Sequence, residues 1–375
     1  MTAAGLADLA PAEPFCPHYG PCGGCQLQHV TDEAARQWKT RRLADALAGR
    51  GVPLPSEGIG YVLAEGEGRR RLTLHARLDR DRPIVGYMSA GSHAIVPIAA
   101  CPVAVPPLRQ APDLVTALAA AAGRFRRIDA QLTASATGID CDLAGIDPSP
   151  AIRGRLAEIA ESLDLARLTA AGEPLALRRQ PVVVIGRASV PLPPRSFLQA
   201  TARGEAELAD FALGALAGSK RVVDLFCGVG AFALRLAETT PVSAFDVDAP
   251  SIAALKSAAA HAQGLKPVQA AARDLFRHPL TSRELQAFDA ALFDPPRQGA
   301  EAQARELASA RLRRILAISC DARTFARDTR ILHDAGWTMA SVAIVDQFRW
   351  TTHLEIAALF RRTGDQSTST PLDRR

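Results

Sequence analysis

From Pro194 onward the chain alternates short apolar strands with helical stretches, and this alternation narrows the fold more than any other feature. A helix is expected over 203–217, followed by the strand RVVDLF (221–226), a glycine-rich loop and a helix. The runs VSAFDVD (242–248), FDAALFD (288–294) and RILAISC (314–320) read as further strands, with helices over 300–312 and 322–335. Strands spaced by helices join through right-handed crossovers into a doubly wound parallel sheet. Such sheets bind ligands beyond the carboxyl ends of their strands.

The upstream half has a different rhythm. Residues 31–50 read as one helix, with Thr31 as N-cap and Gly51 as its stop. Alternation over 71–98 predicts a strand meander, and 113–190 mixes helical runs with short strands such as VVVIG at 182–186. The expected division is a loose tail at 1–13, a cysteine-bearing region with the meander at 14–104, and a central α+β region at 105–192. The doubly wound domain then covers 193–362, before a second loose tail at 363–375. At 48% hydrophobic and 22% charged residues the chain has enough apolar material for real cores, which excludes a disordered protein. No apolar run reaches the length of a membrane span, and the N-terminus lacks the basic start and apolar core of a secretory signal. Seven cysteines without an export signal predict reduced thiols and a cytoplasmic protein. A net charge of +5 favours an anionic partner, and 5% aromatic residues argue against a broad stacking platform.

Three segments carry chemistry at strand ends. The first is Asp224-Leu-Phe-Cys-Gly228-Val-Gly230 at a strand-to-helix junction, where glycines let the backbone approach a ligand. Ala233 stands where a dinucleotide fingerprint has its third glycine, and Asp246 and Asp248 end the next strand, where a carboxylate can hold ribose hydroxyls. The second is Phe293-Asp294-Pro295-Pro296-Arg297, in which two prolines stiffen the loop that carries Asp294. The third is Ser319-Cys320-Asp321, with a thiol at a helix N-terminus, where a lowered pKa is expected. Near the end, Thr351-Thr-His-Leu-Glu355 places a glutamate in an expected strand. Separately, Cys16, Cys22, Cys25 and the distant Cys101 offer four thiolates for zinc or an iron–sulfur cluster. Spacing alone leaves both open, although an isolated fourth cysteine before Pro102 is closer to iron–sulfur usage.

D-x-x-x-G-x-G, D-P-P-R, S-C and T-x-H-x-E in this order resemble the RNA uracil-5 methyltransferase family, and Ser196-Phe197-Leu198-Gln199 is similar to that family's F-x-Q segment. The resemblance runs from about residue 14 to 360. It implies a Rossmann-like class I methyltransferase domain behind an N-terminal α+β iron–sulfur and RNA-binding region. In the type it resembles, ribosomal 23S RNA is the substrate and the small N-terminal RNA-binding barrel is lacking. By the same likeness Cys320 is the nucleophile that adds to uracil carbon 6, and Glu355 is the base that removes the carbon 5 proton. Gln199, Phe226, Gly228, Gly230, Ala231, Asp246 and Asp294 would line the S-adenosylmethionine pocket. Cys16, Cys22, Cys25 and Cys101 would hold a 4Fe–4S cluster, since the family's C-x5-C-G-G-C run is matched here. The expected partner is structured RNA, bound by a monomer, with rRNA favoured over tRNA. The rival readings are a tRNA uridine-5 methyltransferase and a catalytically altered RNA-binding relative. Departures motivate the last: Asp321-Ala322 replaces the family's Asn-Pro, Arg349-Trp350 interrupts its Phe-Pro-x-Thr, and Arg69-Arg70-Arg71 replaces an Arg-Asn pattern. The basic stretches Arg36–Arg42, Arg69–Arg71 and Arg124–Arg127 read either as phosphate contacts or as solvated faces.

Overall fold

The computed structural model describes residues 9–170 and 172–362, so the tail expected at 363–375 lies outside the described residues, as do residues 1–8. The rest of the expected N-terminal tail is tied down, since Pro11 bridges Val30 and the Ala12 N–H donates to the His29 carbonyl at 2.8 Å. The described chain divides into two compact units. One comprises residues 9–31, 65–183 and 191–202, and the other 32–64, 184–190 and 203–362.

In the first unit the expected meander forms as Arg71–Asp79, Arg82–Met88 and Ile95–Pro97. These strands join Ile128–Ser135, Gly138–Ala144, Arg167–Ala170 and Glu173–Leu177 in a seven-stranded sheet among the described residues. The alternating residues Leu72, Leu74 and Ala76 turn one face inward, against Val115, Leu118 and Ala119 of the helix Ala111–Ala122. The meander and the expected central region therefore share one core and one sheet instead of forming separate regions.

The second unit is built on eight described strands. Their order is Gly60–Leu63, Trp337–Asp346, Ile356–Arg362, Arg314–Ser319, Ala290–Phe293, Val222–Leu225, Val242–Asp246 and Val268–Ala272. Val222–Leu225 pairs in parallel on both sides, with Ala290–Phe293 and with Val242–Asp246. The chain thus leaves this strand in opposite directions along the sheet, which opens a crevice at the carboxyl ends. The sheet is mixed and not wholly parallel, because Ile356–Arg362 runs antiparallel to both of its neighbours. The physical reason is the connection over 347–355, which holds no helix and is too short for a parallel crossover.

The helix Asp32–Ala48 belongs to this second unit, not to the cysteine-bearing region in which the sequence places it. Leu43, Leu47 and Val52 enter the second unit's core, and the strand Gly60–Leu63 extends its sheet by pairing in parallel with Ala343–Asp346. The basic run around this helix is neither uniformly solvated nor uniformly free for phosphate. Lys39 is fully buried, and its Nζ lies 2.7 Å from both carboxylate oxygens of Asp346.

Candidate active site

The strand registers bring four sequence signals to one edge of the second unit's sheet. Leu225 lies opposite Phe293 and Phe245, and Phe293 lies opposite Ala317. The residues that follow these strands, Phe226–Gly230, Asp294 and Cys320, therefore leave the sheet at the same end, beside Asp246.

The loop after Val222–Leu225 is bent in ways that need glycine. Gly230 has φ +94°, and a Cβ there would stand 2.5 Å from Leu255 Cδ1. Gly228, at φ +51°, donates its N–H to Asp246 Oδ2 at 2.9 Å, and the Asp248 N–H donates to Asp246 Oδ1 at 2.9 Å. Asp246 thus shapes the loop as well as facing it. Phe226 also has positive φ, at +64°, an uncommon conformation for a residue with a side chain. Its ring packs 5.2 Å from that of Phe276. Ala231 follows the loop, and the expected helix forms as the short Ala233–Leu236. Below the loop, Asp224 is fully buried, with the Ala233 backbone beside its carboxylate. Burial, with the Asp294 and Asp246 carboxylates nearby, pushes its pKa well above the ordinary range. Gln199 falls in the first unit, where it is buried and its carbonyl accepts from Arg70 Nε at 3.0 Å.

Cys320 directly follows the strand Arg314–Ser319 and precedes the helix Ala322–Asp334. The lowered thiol pKa expected there is not found. Burial raises it first, the Glu355 and Asp294 carboxylates add to the effect, and Cys320 is pushed up to about 12. The helix N-terminus is already occupied, since Asp321 caps it by accepting from the Arg323 N–H at 2.9 Å and the Thr324 N–H at 3.2 Å. Asp and Asn are comparable N-caps, so the departure from Asn at 321 keeps the capping function.

Glu355 is likewise not the solvated strand residue that a lone glutamate suggests. It is 4% exposed, sits just before the strand Ile356–Arg362, and accepts from Gln347 Nε2 at 2.9 Å. Burial raises its pKa well above the ordinary value, and Asp294 raises it further. Asp294 is pushed up to about 7 by burial and by Asp246. Cys320, Glu355 and Asp294 therefore sense one another electrostatically, in buried surroundings that favour their neutral forms.

Sequence reasoning missed the support behind Glu355. Asp346, next to Gln347, is held by Lys39 and by the Tyr61 hydroxyl, and Lys39 Nζ also donates to the Phe348 carbonyl at 3.0 Å. Arg349, where the family has proline, donates through Nε to Asp32 Oδ1 at 3.0 Å. An ion pair restrains this loop where a proline ring otherwise would.

In the first unit, Cys16, Cys22, Cys25 and Cys101 line one cavity together with Arg69 and Tyr87. Burial pushes Cys25 up to about 11 and raises Cys22 and Cys101. The Tyr87 hydroxyl donates to Cys101 Sγ at 3.6 Å, and the buried Gln28 side chain lies beside Cys25 in the same cavity. Among the described residues, however, no group of three or more His, Cys, Asp or Glu side chains stands in an arrangement that could hold a metal ion. The remaining cysteines, Cys141 and Cys227, are buried.

A family model for tRNA (Uracil-5-)-methyltransferase matches residues 189–363. An uncharacterized RNA methyltransferase of Brucella suis biovar 1 (strain 1330) is 41% identical, over 93% of this chain and 84% of its own length. The 23S rRNA (uracil(1939)-C(5))-methyltransferase RlmD of Chromohalobacter salexigens is 31% identical, over 97% of this chain and 79% of its own. Among solved structures, the Pyrococcus abyssi tRNA (uracil-54, C5)-methyltransferase in complex with S-adenosyl-L-homocysteine matches with a TM-score of 0.71 at 18% identity, covering 91% of this chain and 86% of that one. That last likeness shows a shared fold, and the sequence likenesses show more: the chain belongs to the RNA (uracil-5-)methyltransferase family.

Proposed function

We propose that the protein transfers a methyl group from S-adenosylmethionine to carbon 5 of a uridine in 23S ribosomal RNA, through a covalent adduct with Cys320. The observation that carries this reading is the convergence of Cys320, Glu355 and Asp294 at the sheet edge that also bears the glycine loop. The choice of ribosomal RNA rests on the relative from Chromohalobacter salexigens, whose match spans nearly the whole chain.

The residues fit the cofactor. Asp224 is a fully buried carboxylate beneath a loop whose Gly230 has no room for a side chain. Phe226, Gly228, Gly230, Ala231, Asp246 and Asp294 would hold S-adenosylmethionine, which supplies an electrophilic methyl on sulfur. Cys320, as thiolate, adds to carbon 6 of the uracil and pushes its electron pair toward carbon 5, which would take the methyl group as the S–CH3 bond breaks and the cofactor's sulfur is left as a neutral thioether. Glu355, which must first lose the proton that its buried surroundings favour, next removes the carbon 5 proton as carboxylate; the electron pair of that C–H bond re-forms the ring double bond and the Cys320–carbon 6 bond breaks. Glu355 is suited to that step because burial and Asp294 raise its proton affinity. The target base must leave its stack to reach a site this buried.

The test is methyl transfer from labelled S-adenosylmethionine to unmodified transcripts of 23S rRNA and of tRNA, with nucleoside analysis of the product. The proposal expects 5-methyluridine in the 23S transcript. Label in tRNA alone would move the substrate to tRNA, and label in neither would remove the activity.

We also assign Cys16, Cys22, Cys25 and Cys101 to a 4Fe–4S cluster. The support is their shared cavity and its four thiol donors. Holding the cluster requires the cysteine side chains to turn toward one another from the arrangement described above. Protein purified without oxygen is expected to contain about four irons and four sulfides per chain. Stoichiometric zinc without iron would overturn the assignment.

A further inference from the structure

Asp321 is buried and spends its carboxylate on the N-cap of the helix Ala322–Asp334, yet it has basic neighbours on three separate elements. Arg297, from the loop after Ala290–Phe293, brings Nε to 3.7 Å of Asp321 Oδ2. Arg323, from the first turn of the helix, brings Nε to 3.7 Å of Asp321 Oδ1. Their side chains are 64% and 86% exposed. Arg42, from the helix Asp32–Ala48, donates through Nη1 to the Thr352 carbonyl, three residues before Glu355. Burial lowers its pKa, and it feels Asp321, Arg297 and Arg323 together. The three guanidiniums face the single carboxylate of Asp321, and the Glu355 and Asp294 carboxyls near Cys320 are pushed toward their neutral forms, so positive charge is in excess at this rim. Gathering like charges is unfavourable unless an anion is to be bound, and guanidiniums recognise phosphate oxygens well. A nucleotide drawn out of its stack to meet Cys320 brings its own backbone phosphates to this rim.

We propose that Arg42, Arg297 and Arg323, gathered around Asp321 next to Cys320, form a clamp for an RNA backbone phosphate flanking the methylated uridine. The inference rests on the methyltransferase reading and adds to it the groups that hold the strand. Asp321 acts as a brake on this clamp, since it is the carboxylate that offsets the excess charge. Removing its charge while keeping its cap should strengthen RNA binding.

The test measures binding of a fluorescent oligouridylate to the full chain across a range of potassium chloride concentrations. Arg323→Ala is expected to weaken binding several-fold and to reduce the slope of log K against log salt by about 0.7, the value for one lost single-strand phosphate contact. Arg323→Lys should recover the slope, and Asp321→Asn should change affinity in the opposite direction, toward tighter binding. An unchanged slope in both Arg323→Ala and Asp321→Asn would overturn the clamp. The same preparations are assayed for methyl transfer to the 23S transcript. If the wild type transfers methyl and the slopes do not move, the clamp fails and the methyltransferase reading stands. If the slopes move as expected and no methyl is transferred, the three arginines bind an RNA phosphate but the methyltransferase reading fails, and with it the placement of that phosphate beside a methylated uridine.

Discussion

Cys320→Ala is expected to reduce methyl transfer by roughly 10⁴-fold or more, while binding of S-adenosylmethionine is retained. The size of the effect follows from the chemistry. Carbon 5 of uracil is a weak nucleophile, and the electron pair it needs comes from addition at carbon 6. Among the described residues of the second unit the one other thiol, Cys227, is buried in the glycine loop. The Cys320 thiol, pushed up to about 12 in the free protein, also has to lose its proton before it attacks. The reaction must therefore lower that barrier once substrate is bound. A variant retaining more than about a tenth of the wild-type single-turnover rate would show that the thiol is not the nucleophile.

Lys39→Met is expected to destabilise the fold by about 3–5 kcal/mol, because it leaves Asp346 as a buried carboxylate without its cation. Lys39 and Asp346 are 0% and 1% exposed at the side chain, and Nζ contacts both carboxylate oxygens at 2.7 Å. The Tyr61 hydroxyl remains to donate to Asp346, but a phenol does not neutralise a carboxylate. Replacing both partners by apolar residues, Lys39→Met with Asp346→Leu, should recover much of the loss, since the cost lies in the orphaned charge. Urea denaturation of the two variants and the wild type reads this directly, with the midpoint of the single variant lowest. A Lys39→Met midpoint within error of the wild type would mean that the buried pair contributes nothing to stability.

Much of this architecture was legible in the sequence. Apolar runs such as VVDL and RILAIS have the length and β-branched content of buried parallel strands, and the helices between them left little choice of topology. Strand ends also marked the chemistry, because Asp294 and Cys320 directly follow such runs. The failures share one physical cause, which is dependence on contacts distant in sequence. Gly60–Leu63 is a strand because Ala343–Asp346 lies beside it, and nothing local announces that pairing. Val268–Ala272 is largely alanine and glutamine, so its strand conformation follows from docking on Val242–Asp246 and not from propensity. Lys39 sits in a run of polar and basic residues that reads as solvated, and only a partner at Asp346 makes its burial possible. The Cys320 pKa went the opposite way from the local rule because burial, and then the Glu355 and Asp294 carboxylates that arrive from other parts of the sheet, disfavour the thiolate. Glu355 looked ordinary for the same reason, its burial and its Gln347 partner being products of the loop over 347–355.

The central claim is that Cys320 and Glu355 act in sequence on one uracil, and trapping tests it most directly. In Glu355→Gln the carbon 5 proton stays in place after methyl transfer, so Cys320 cannot be expelled and the protein accumulates joined to its RNA. The account predicts a denaturation-resistant protein–RNA species carrying the transferred methyl group, absent in the Cys320→Ala, Glu355→Gln double variant, with the linked uridine in 23S rRNA. Free 5-methyluridine product at the wild-type rate, with no linked species, would contradict the assignment of Glu355 as the base that releases the enzyme.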